Sequence, residues 1–322
     1  MDGIGMNKLI MSDLSIIVIS YNCLDLVTNI LLSLKDIKTD IILIDNASTD
    51  GTPDKIEKEF LNVRVIRNQS NEGYAKAINI GVHYSLGSWI IVSNADVEFH
   101  NGCIENMIDY LQKNQDVGIV GAQQLFPDGS WQRSYGNAPG LFGSLKDLLG
   151  ITSLRQFIRK KAWSGWVVDN KQREVGYIDG AVMAIRRESY ESIGGFDEEF
   201  FFYSEDADFC FRLRKAGWGV VFLPSARVTH LRGGSSTKVS KVNDKFIQIQ
   251  VDSKVLLFKK HYPEWKVRLL ILMEYLHAKK MFFIYNILSL LSARKQKRDY
   301  FSKRLQIFLT SMKTWQKYLK KC

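Results

Sequence analysis

Apolar runs early in the chain stop at clusters of polar side chains. Leu14 to Ile19 ends in Ser20-Tyr21-Asn22, Ile41 to Ile44 in Asp45-Asn46-Ala47-Ser48-Thr49-Asp50-Gly51-Thr52, and Trp89 to Ser93 in Asn94-Ala95-Asp96. Singly, each cluster is ordinary turn chemistry, because Asn, Asp, Ser and Gly satisfy turn backbones unaided. Together on one edge they make a pocket, since ligands of open α/β sheets bind beyond the carboxyl ends of the strands. Such carboxylates can accept from a nucleobase, bond a ribose or hold a cation. A second acidic group, Glu205, Asp206 and Asp208, follows the aromatic run Phe200-Phe201-Phe202-Tyr203. Acidic residues at a helix start complement its dipole. Behind an aromatic wall that excludes water or stacks a sugar, one of them can also take a proton from an attacking hydroxyl. His230, just before Gly233-Gly234-Ser235-Ser236, adds an imidazole beside a loop able to approach phosphate.

The elements that would carry these residues alternate strand and helix, the pattern of a mostly parallel α/β sheet. Strands are expected at Leu14 to Ile19, Ile41 to Ile44, Val63 to Ile66, Trp89 to Ser93 and Val117 to Gly121. Between them, Leu26, Val27, Ile30, Leu31 and Leu34 have helical spacing, and helices are also expected over Gly73 to Leu86 and Asn101 to Lys113. Thr52 is placed to cap a helix with Pro53 in its first position. From Gly136 to Val175 the regularity is lost around a basic amphipathic piece, Leu154 to Lys161, as in a lid or binding loop. A strand over Gly176 to Ile185, helices near 187–193 and 204–217 and a short strand over Gly219 to Leu223 follow, and beyond Val242 everything reads as helix.

In order along the chain stand Ile-Ser-Tyr-Asn at 19–22, Asp-Asn-Ala-Ser-Thr-Asp-Gly-Thr at 45–52, and Asn71-Glu72-Gly73-Tyr74-Ala75-Lys76-Ala77 with Asn79 and Gly81. Asn94-Ala95-Asp96, Asp179-Gly180-Ala181, Gly194-Gly195-Phe196-Asp197 and Glu205-Asp206-Ala207-Asp208 complete the series. In these blocks the chain, from about Leu14 to Ser236, resembles glycosyltransferase family 2, and within it the bacterial rhamnosyltransferase-type enzymes of cell-surface polysaccharide assembly. The resemblance implies a GT-A fold and an inverting transferase. It implies that Ser20, Tyr21, Asn22, Asp45, Asn46, Asn71, Gly73, Lys76, Asn94, Ala95 and Asp96 line a nucleotide-sugar donor, and that Asp179 and Gly180 face the acceptor. Asp96, with His230, would hold Mn2+ or Mg2+ across the diphosphate; these ions prefer oxygen ligands and share their shell with phosphates, and manganese accepts imidazole. Where a metal motif of this kind has an aspartate pair, this chain has Asn94 and Asp96, so only one carboxylate is supplied. Asp206 would be the general base and Glu205 its support.

With 46% apolar and 24% charged residues the 322-residue chain has the composition of a folded protein. The four cysteines lack CxxC spacing, so neither a disulfide framework nor a zinc site is indicated, and a reducing cytoplasm is expected. No apolar stretch reaches the roughly 20 residues of a spanning helix. The net charge of +10 is unevenly placed: residues 259–322 hold 16 Lys and Arg against 3 Asp and Glu, and everything before them sums to −3. That concentration, interleaved with Trp265, Leu269, Phe282, Phe283 and Trp315, points to helices on an anionic membrane surface rather than to nucleic acid. The expected organisation is a catalytic domain at 12–236 and a basic amphipathic helical extension at 237–322. The expected location is cytoplasmic, peripheral at the inner face of the membrane. The donor would be dTDP-rhamnose or a UDP-sugar, and the acceptor a saccharide, free or lipid-linked. A sugar nucleotidyltransferase would instead open with a glycine-rich basic loop after the first strand, which Ser20-Tyr21-Asn22-Cys23 is not. A non-catalytic lipid- or nucleic-acid-binding protein on the same scaffold would have only the basic tail in its favour.

Overall fold

Strands that are apolar on both faces must lie inside a layered sheet, and the first half of the chain is built around them. The computed structural model describes residues 13–151, 171–231, 244–292 and 294–320. In it β1 (Leu14–Ser20), α1 (Leu24–Ser33), β2 (Asp40–Asp45), α2 (Thr52–Glu59), β3 (Val63–Arg67), α3 (Tyr74–Tyr84) and β4 (Trp89–Asn94) alternate as expected. They are followed by β5 (Val97–Phe99), α4 (Cys103–Lys113), β6 (Val117–Leu125), β7 (Trp131–Gln132), β8 (Tyr135–Gly136) and α5 (Leu141–Leu148). Then come β9 (Arg173–Glu174), β10 (Tyr177–Ile178), β11 (Val182–Arg186), α6 (Arg187–Ser192), α7 (Glu205–Lys215) and β12 (Gly219–His230). Three long helices, α8 (Asp244–His261), α9 (Glu264–Leu290) and α10 (Lys295–Leu319), end the chain.

The main sheet has the order β3-β2-β1-β4-β11-β6-β12-β5. β1 is buried at every position and pairs in parallel with β2 and β4. β11 is inserted antiparallel between β4 and β6, and β12 runs parallel to β6 and antiparallel to β5. The register sets Ser20 opposite Asp45 and Ile19 opposite Asn94, so the polar strand ends share one edge. Beneath them lies a core that includes Ile16, Val18, Val27, Ile30, Leu43, Ile91, Met107 and Ile108.

Several local expectations need correction. The strand expected over Gly176 to Ile185 breaks into β10 and β11, because Asp179, Gly180 and Ala181 leave the sheet between them. The short strand from Gly219 continues to His230 as β12, with an irregularity between Leu223 and Arg227 where Pro224 has no N–H to offer the ladder. Thr52 does not cap α2. Asp50 accepts from the Thr52 N–H at 3.1 Å and its hydroxyl at 2.5 Å, and also from the Leu24 N–H at 3.1 Å, so one carboxylate serves the starts of two helices. Partial burial acts to raise its pKa, but these hydrogen bonds outweigh burial and hold the carboxyl below its ordinary range. The amphipathic piece Leu154 to Lys161 and the loop Gly233-Gly234-Ser235-Ser236 lie outside the described residues.

The described chain forms two compact units, the first within 1–138, 165–201 and 205–238, the second within 139–164, 202–204 and 239–322. The second has its own core of Val251, Val255, Phe258, Val267, Leu270, Ile271, Ala278 and Trp315. α5 belongs to it. The Ser144 hydroxyl donates to Glu274 at 2.9 Å, and Lys280 donates to the terminal α5 carbonyls of Asp147 and Leu148 at 3.0 and 2.6 Å. Among the described residues no helix is long and apolar enough to cross a membrane.

Candidate functional site

The first wall of the site is built where β1 and β2 end. Asp45, fully buried, accepts from the Ser20 hydroxyl at 3.1 Å and from the Ser48 N–H at 2.9 Å. Asn46 donates through its amide to the Gly73 carbonyl at 3.2 Å and accepts from the Asn68 amide at 2.7 Å. Asn22 adopts φ +52° and accepts from the Thr49 N–H at 2.8 Å. Asn71 takes the Gly73 N–H at 3.0 Å, closing a tight turn into α3. Gly73 itself, at φ +83°, has no room for a side chain: a Cβ there would lie 2.4 Å from the Phe201 carbonyl oxygen. That close approach lets the Tyr74 N–H reach the same carbonyl at 2.7 Å. The Tyr21 ring is exposed at the rim, and Lys76 pairs with Glu72 at 2.5 Å.

The second group lies where β4 gives way to β5 and where β12 ends. Asp96 and His230 are both buried, with Asp96 Oδ1 3.4 Å from His230 Nε2. The opposite ring nitrogen fixes what Nε2 can be. His230 Nδ1 lies 2.6 Å from Gln132 Oε1 and 3.0 Å from Gln124 Oε1. The Gln132 amide nitrogen donates to the His230 carbonyl at 3.1 Å, so its oxygen is the atom turned to the ring. Two acceptors on Nδ1 make that nitrogen the N–H. In the neutral ring, Nε2 then presents a lone pair to a carboxylate oxygen, and two acceptors face each other across a gap suited to a cation or a proton. This donor set, one hard carboxylate and one imidazole held from behind by its other nitrogen, fits a divalent metal whose remaining ligands come from a phosphorylated substrate. Among the described residues no cluster of three or more His, Cys, Asp and Glu side chains could hold a metal alone.

The third group joins the other two. Asp206, in the first turn of α7, accepts from the Gly180 N–H at 3.0 Å and the Ala207 N–H at 2.7 Å. Burial first and the Asp179 carboxylate second push its pKa up to about 7, against the pull of those hydrogen bonds. Glu205 is more deeply buried, and its Oε2 has no partner. Burial, with the Asp206 charge next, raises its carboxyl well above the ordinary range. Burial and mutual repulsion therefore oppose the presence of two charges on this neighbouring pair of carboxyls. Tyr74 donates its hydroxyl to the Gly180 carbonyl at 2.6 Å, and the Gln124 amide reaches Asp179 at 3.5 Å. The Asn94 N–H meets the Ala181 carbonyl at 2.9 Å.

The strand-end residues, Asp96 with His230, and Asp179-Gly180 with Glu205-Asp206 are thus joined through a continuous chain of contacts. Motif reading passed over Gln124 and Gln132. The signal was present: two consecutive glutamines, Gln123 and Gln124, stand in a strand buried at every position, and a buried amide needs a polar partner.

The family model described as Glycosyl transferase family 2 matches residues 15–194, and one described as the N-terminal domain of galactosyltransferase matches residues 170–233. The N-acetylglucosaminyl-diphospho-decaprenol L-rhamnosyltransferase of Mycobacterium tuberculosis (strain ATCC 25618 / H37Rv) is 33% identical over 213 residues, which is 61% of this chain and 67% of that protein. The dTDP-rhamnosyl transferase RfbF of Shigella flexneri is 25% identical over 236 residues, 72% of this chain and 73% of that one. Among solved structures, the mannosyltransferase PcManGT from Pyrobaculum calidifontis in complex with GDP-Man and Mn2+ is similar at a TM-score of 0.58 and 16% identity, covering 93% of this chain and 85% of that one. The central, mostly parallel sheet with its inserted antiparallel strand is that of a GT-A glycosyltransferase.

Proposed function

Because the chain belongs to glycosyl transferase family 2, whose model spans residues 15–194, we propose that it transfers rhamnose from dTDP-rhamnose to a hydroxyl of a lipid-linked saccharide, inverting the anomeric carbon. A UDP-hexose is the donor to test beside it. The reading rests on relatives acting on rhamnosyl donors and a decaprenol-linked acceptor. The observation that carries it is Asp206, which accepts from the Gly180 N–H at 3.0 Å beside the buried Glu205, whose Oε2 has no partner; burial and the Asp179 charge raise its pKa to about 7.

The nucleotide lies against the strand-end wall, where Asp45 is held in place by Ser20 and the Ser48 N–H, and the turn at Asn71 and Gly73 closes its side. Asp96 and His230 would hold a divalent ion, Mn2+ or Mg2+, which neutralises charge on a departing nucleoside diphosphate without proton transfer. The acceptor hydroxyl binds over Asp179 and Gly180 and gives its proton to Asp206 as its oxygen attacks the anomeric carbon from the face opposite the diphosphate. A pKa near the working pH suits this, since the base must be free yet still take the proton. Glu205 supports Asp206 from its buried side, where burial opposes a second charge. The acceptor's lipid would bring the protein to the inner face of the membrane as a peripheral protein.

Transfer is tested by release of dTDP from dTDP-rhamnose with a polyprenyl-diphosphate N-acetylglucosamine acceptor, UDP-sugars in parallel, and the product's anomeric configuration by NMR. Failure of every nucleotide sugar to support transfer, or a product that keeps the donor configuration, would refute the proposal at the corresponding step.

A further inference from the structure

A helix that is apolar on two opposite sides has to bury both of them or meet an apolar partner such as lipid on one. α9 is such a helix. One side packs inward through Val267, Leu270, Ile271, Met273 and Ala278. The opposite side carries Trp265, Leu269, Leu272, Leu276, Phe283 and Ile287, all exposed, with Trp265 at 61%, Phe283 at 53% and Ile287 at 55%. Their steps of four, three, four, seven and four residues set them on one stripe along a helix of 27 residues, about 40 Å long.

The charges around the stripe are mostly positive; Glu264, at the start of the helix, is paired with Arg268. Arg268 and Lys279 are exposed at its edge. The one acidic residue between 265 and 291 is Glu274, on the inner side, where it pairs with Lys254 at 2.7 Å. α10 runs back along α9, with Tyr285 and Phe308 stacked at 5.6 Å, and bears seven Lys and Arg against Asp299. An apolar stripe of this length flanked by cations is what a helix needs to lie in the headgroup layer of an anionic bilayer, apolar side down. The same excess of cations opposes pairing with a second copy, since two such faces would bring Arg268, Lys279 and the α10 cations together with only Glu264, itself paired with Arg268, and Asp299 to offset them.

We propose that the outward face of α9 is a lipid-docking surface that inserts Trp265, Leu272 and Phe283 into the interface of an anionic phospholipid membrane, with α10 supplying electrostatic attraction. The proposal deepens the peripheral membrane location above by naming the surface, and it is tested without donor or acceptor, so it stands or falls apart from the transferase reading.

The full chain is floated with vesicles of phosphatidylcholine alone and with phosphatidylglycerol added, and its mass in solution is measured by sedimentation. The double variant Leu272→Glu, Phe283→Glu is compared with Leu272→Ala, Phe283→Ala. These positions face out, so circular dichroism should be unchanged in both. The unsubstituted chain should float with the anionic vesicles only. The glutamate pair should weaken partition by about a hundredfold and the alanine pair by about tenfold. Equal flotation of the glutamate variant overturns the assignment to α9. Failure of the unsubstituted chain to float overturns lipid docking, and a dimer that the glutamate pair dissociates, in a chain that does not float, would make the stripe a self-association face.

Discussion

The Asp206 carboxyl offers the sharpest quantitative test, because its environment predicts both a pH dependence and its cause. Moving an aspartate from 3.8 to about 7 opposes ionisation by about 4 kcal/mol. Under the proposed mechanism, turnover at saturating donor should rise with pH through about 7, near its plateau at about pH 8 and about tenfold lower at about pH 6. Glu205→Gln should leave that limb nearly in place, because burial and the Asp179 charge are what raise Asp206. Asp179→Asn should move it to lower pH by removing the like charge that burial reinforces. Asp206→Asn should cut transfer by about two to four orders of magnitude while nucleotide affinity, by calorimetry, stays within a few-fold. Linkage gives the opposite sign for stability. A raised carboxyl pKa favours the folded state at low pH and is lost progressively between the ordinary carboxylate range and about 7. The Asp206→Asn protein should therefore lose less stability than the parent between about pH 5 and about pH 8, in urea unfolding. A flat pH–rate profile across neutrality, or a limb at 7 that survives in Asp206→Asn, would remove Asp206 from the base role and refute the reasoning from its surroundings.

Asp96→Ala should abolish the manganese-dependent part of nucleoside diphosphate binding and His230→Ala should weaken it less; equal affinity of the unsubstituted protein with chelator and with manganese would dismiss the metal reading of both. Gln132→Leu removes the closer acceptor from His230 Nδ1 and should lower manganese-dependent nucleotide affinity by about 10- to 100-fold, the usual scale for an outer partner of a metal-binding histidine; 15N chemical shifts of the ring would show whether its tautomer has become mixed. Tyr74→Phe leaves the buried Gly180 carbonyl without its phenol donor and should cost about 1–3 kcal/mol in urea unfolding. Gly73→Ala should cost at least as much and also disturb nucleotide binding, because the added methyl meets the Phe201 backbone and positive φ disfavours any side chain.

The strand ends were legible because the rule that reads them is local: an apolar run followed by Asp, Asn or Ser marks the edge of a parallel sheet. The order of the blocks from Ser20 to Asp206 carried the family, and the family model and relatives agree with it. Gln124 and Gln132 were illegible as partners of His230 because the contact depends on β6, β7 and β12 lying side by side, a pairing across 98 and 106 residues that no local pattern encodes. Asp50 was missed as the shared cap of α1 and α2 for a similar reason, since the Leu24 N–H comes from 26 residues earlier. Nor could periodicity show that α5, in a glycine-rich stretch, packs with the C-terminal helices: the Ser144 to Glu274 hydrogen bond spans 130 residues.

β5 lies at the end of the sheet, and its one partner in the strand order is β12, more than a hundred residues later. During synthesis the Ser20 to Asp45 and Asn46 to Gly73 contacts close within 27 residues and can form early, whereas Asp96 waits for His230 and Tyr74 for Gly180. Contacts of such separation are slow to form and complete late. The wall of Ser20, Asp45 and Asn46 can thus close while the chain is still leaving the ribosome, well before His230 arrives to face Asp96 and complete the pair proposed to serve the diphosphate.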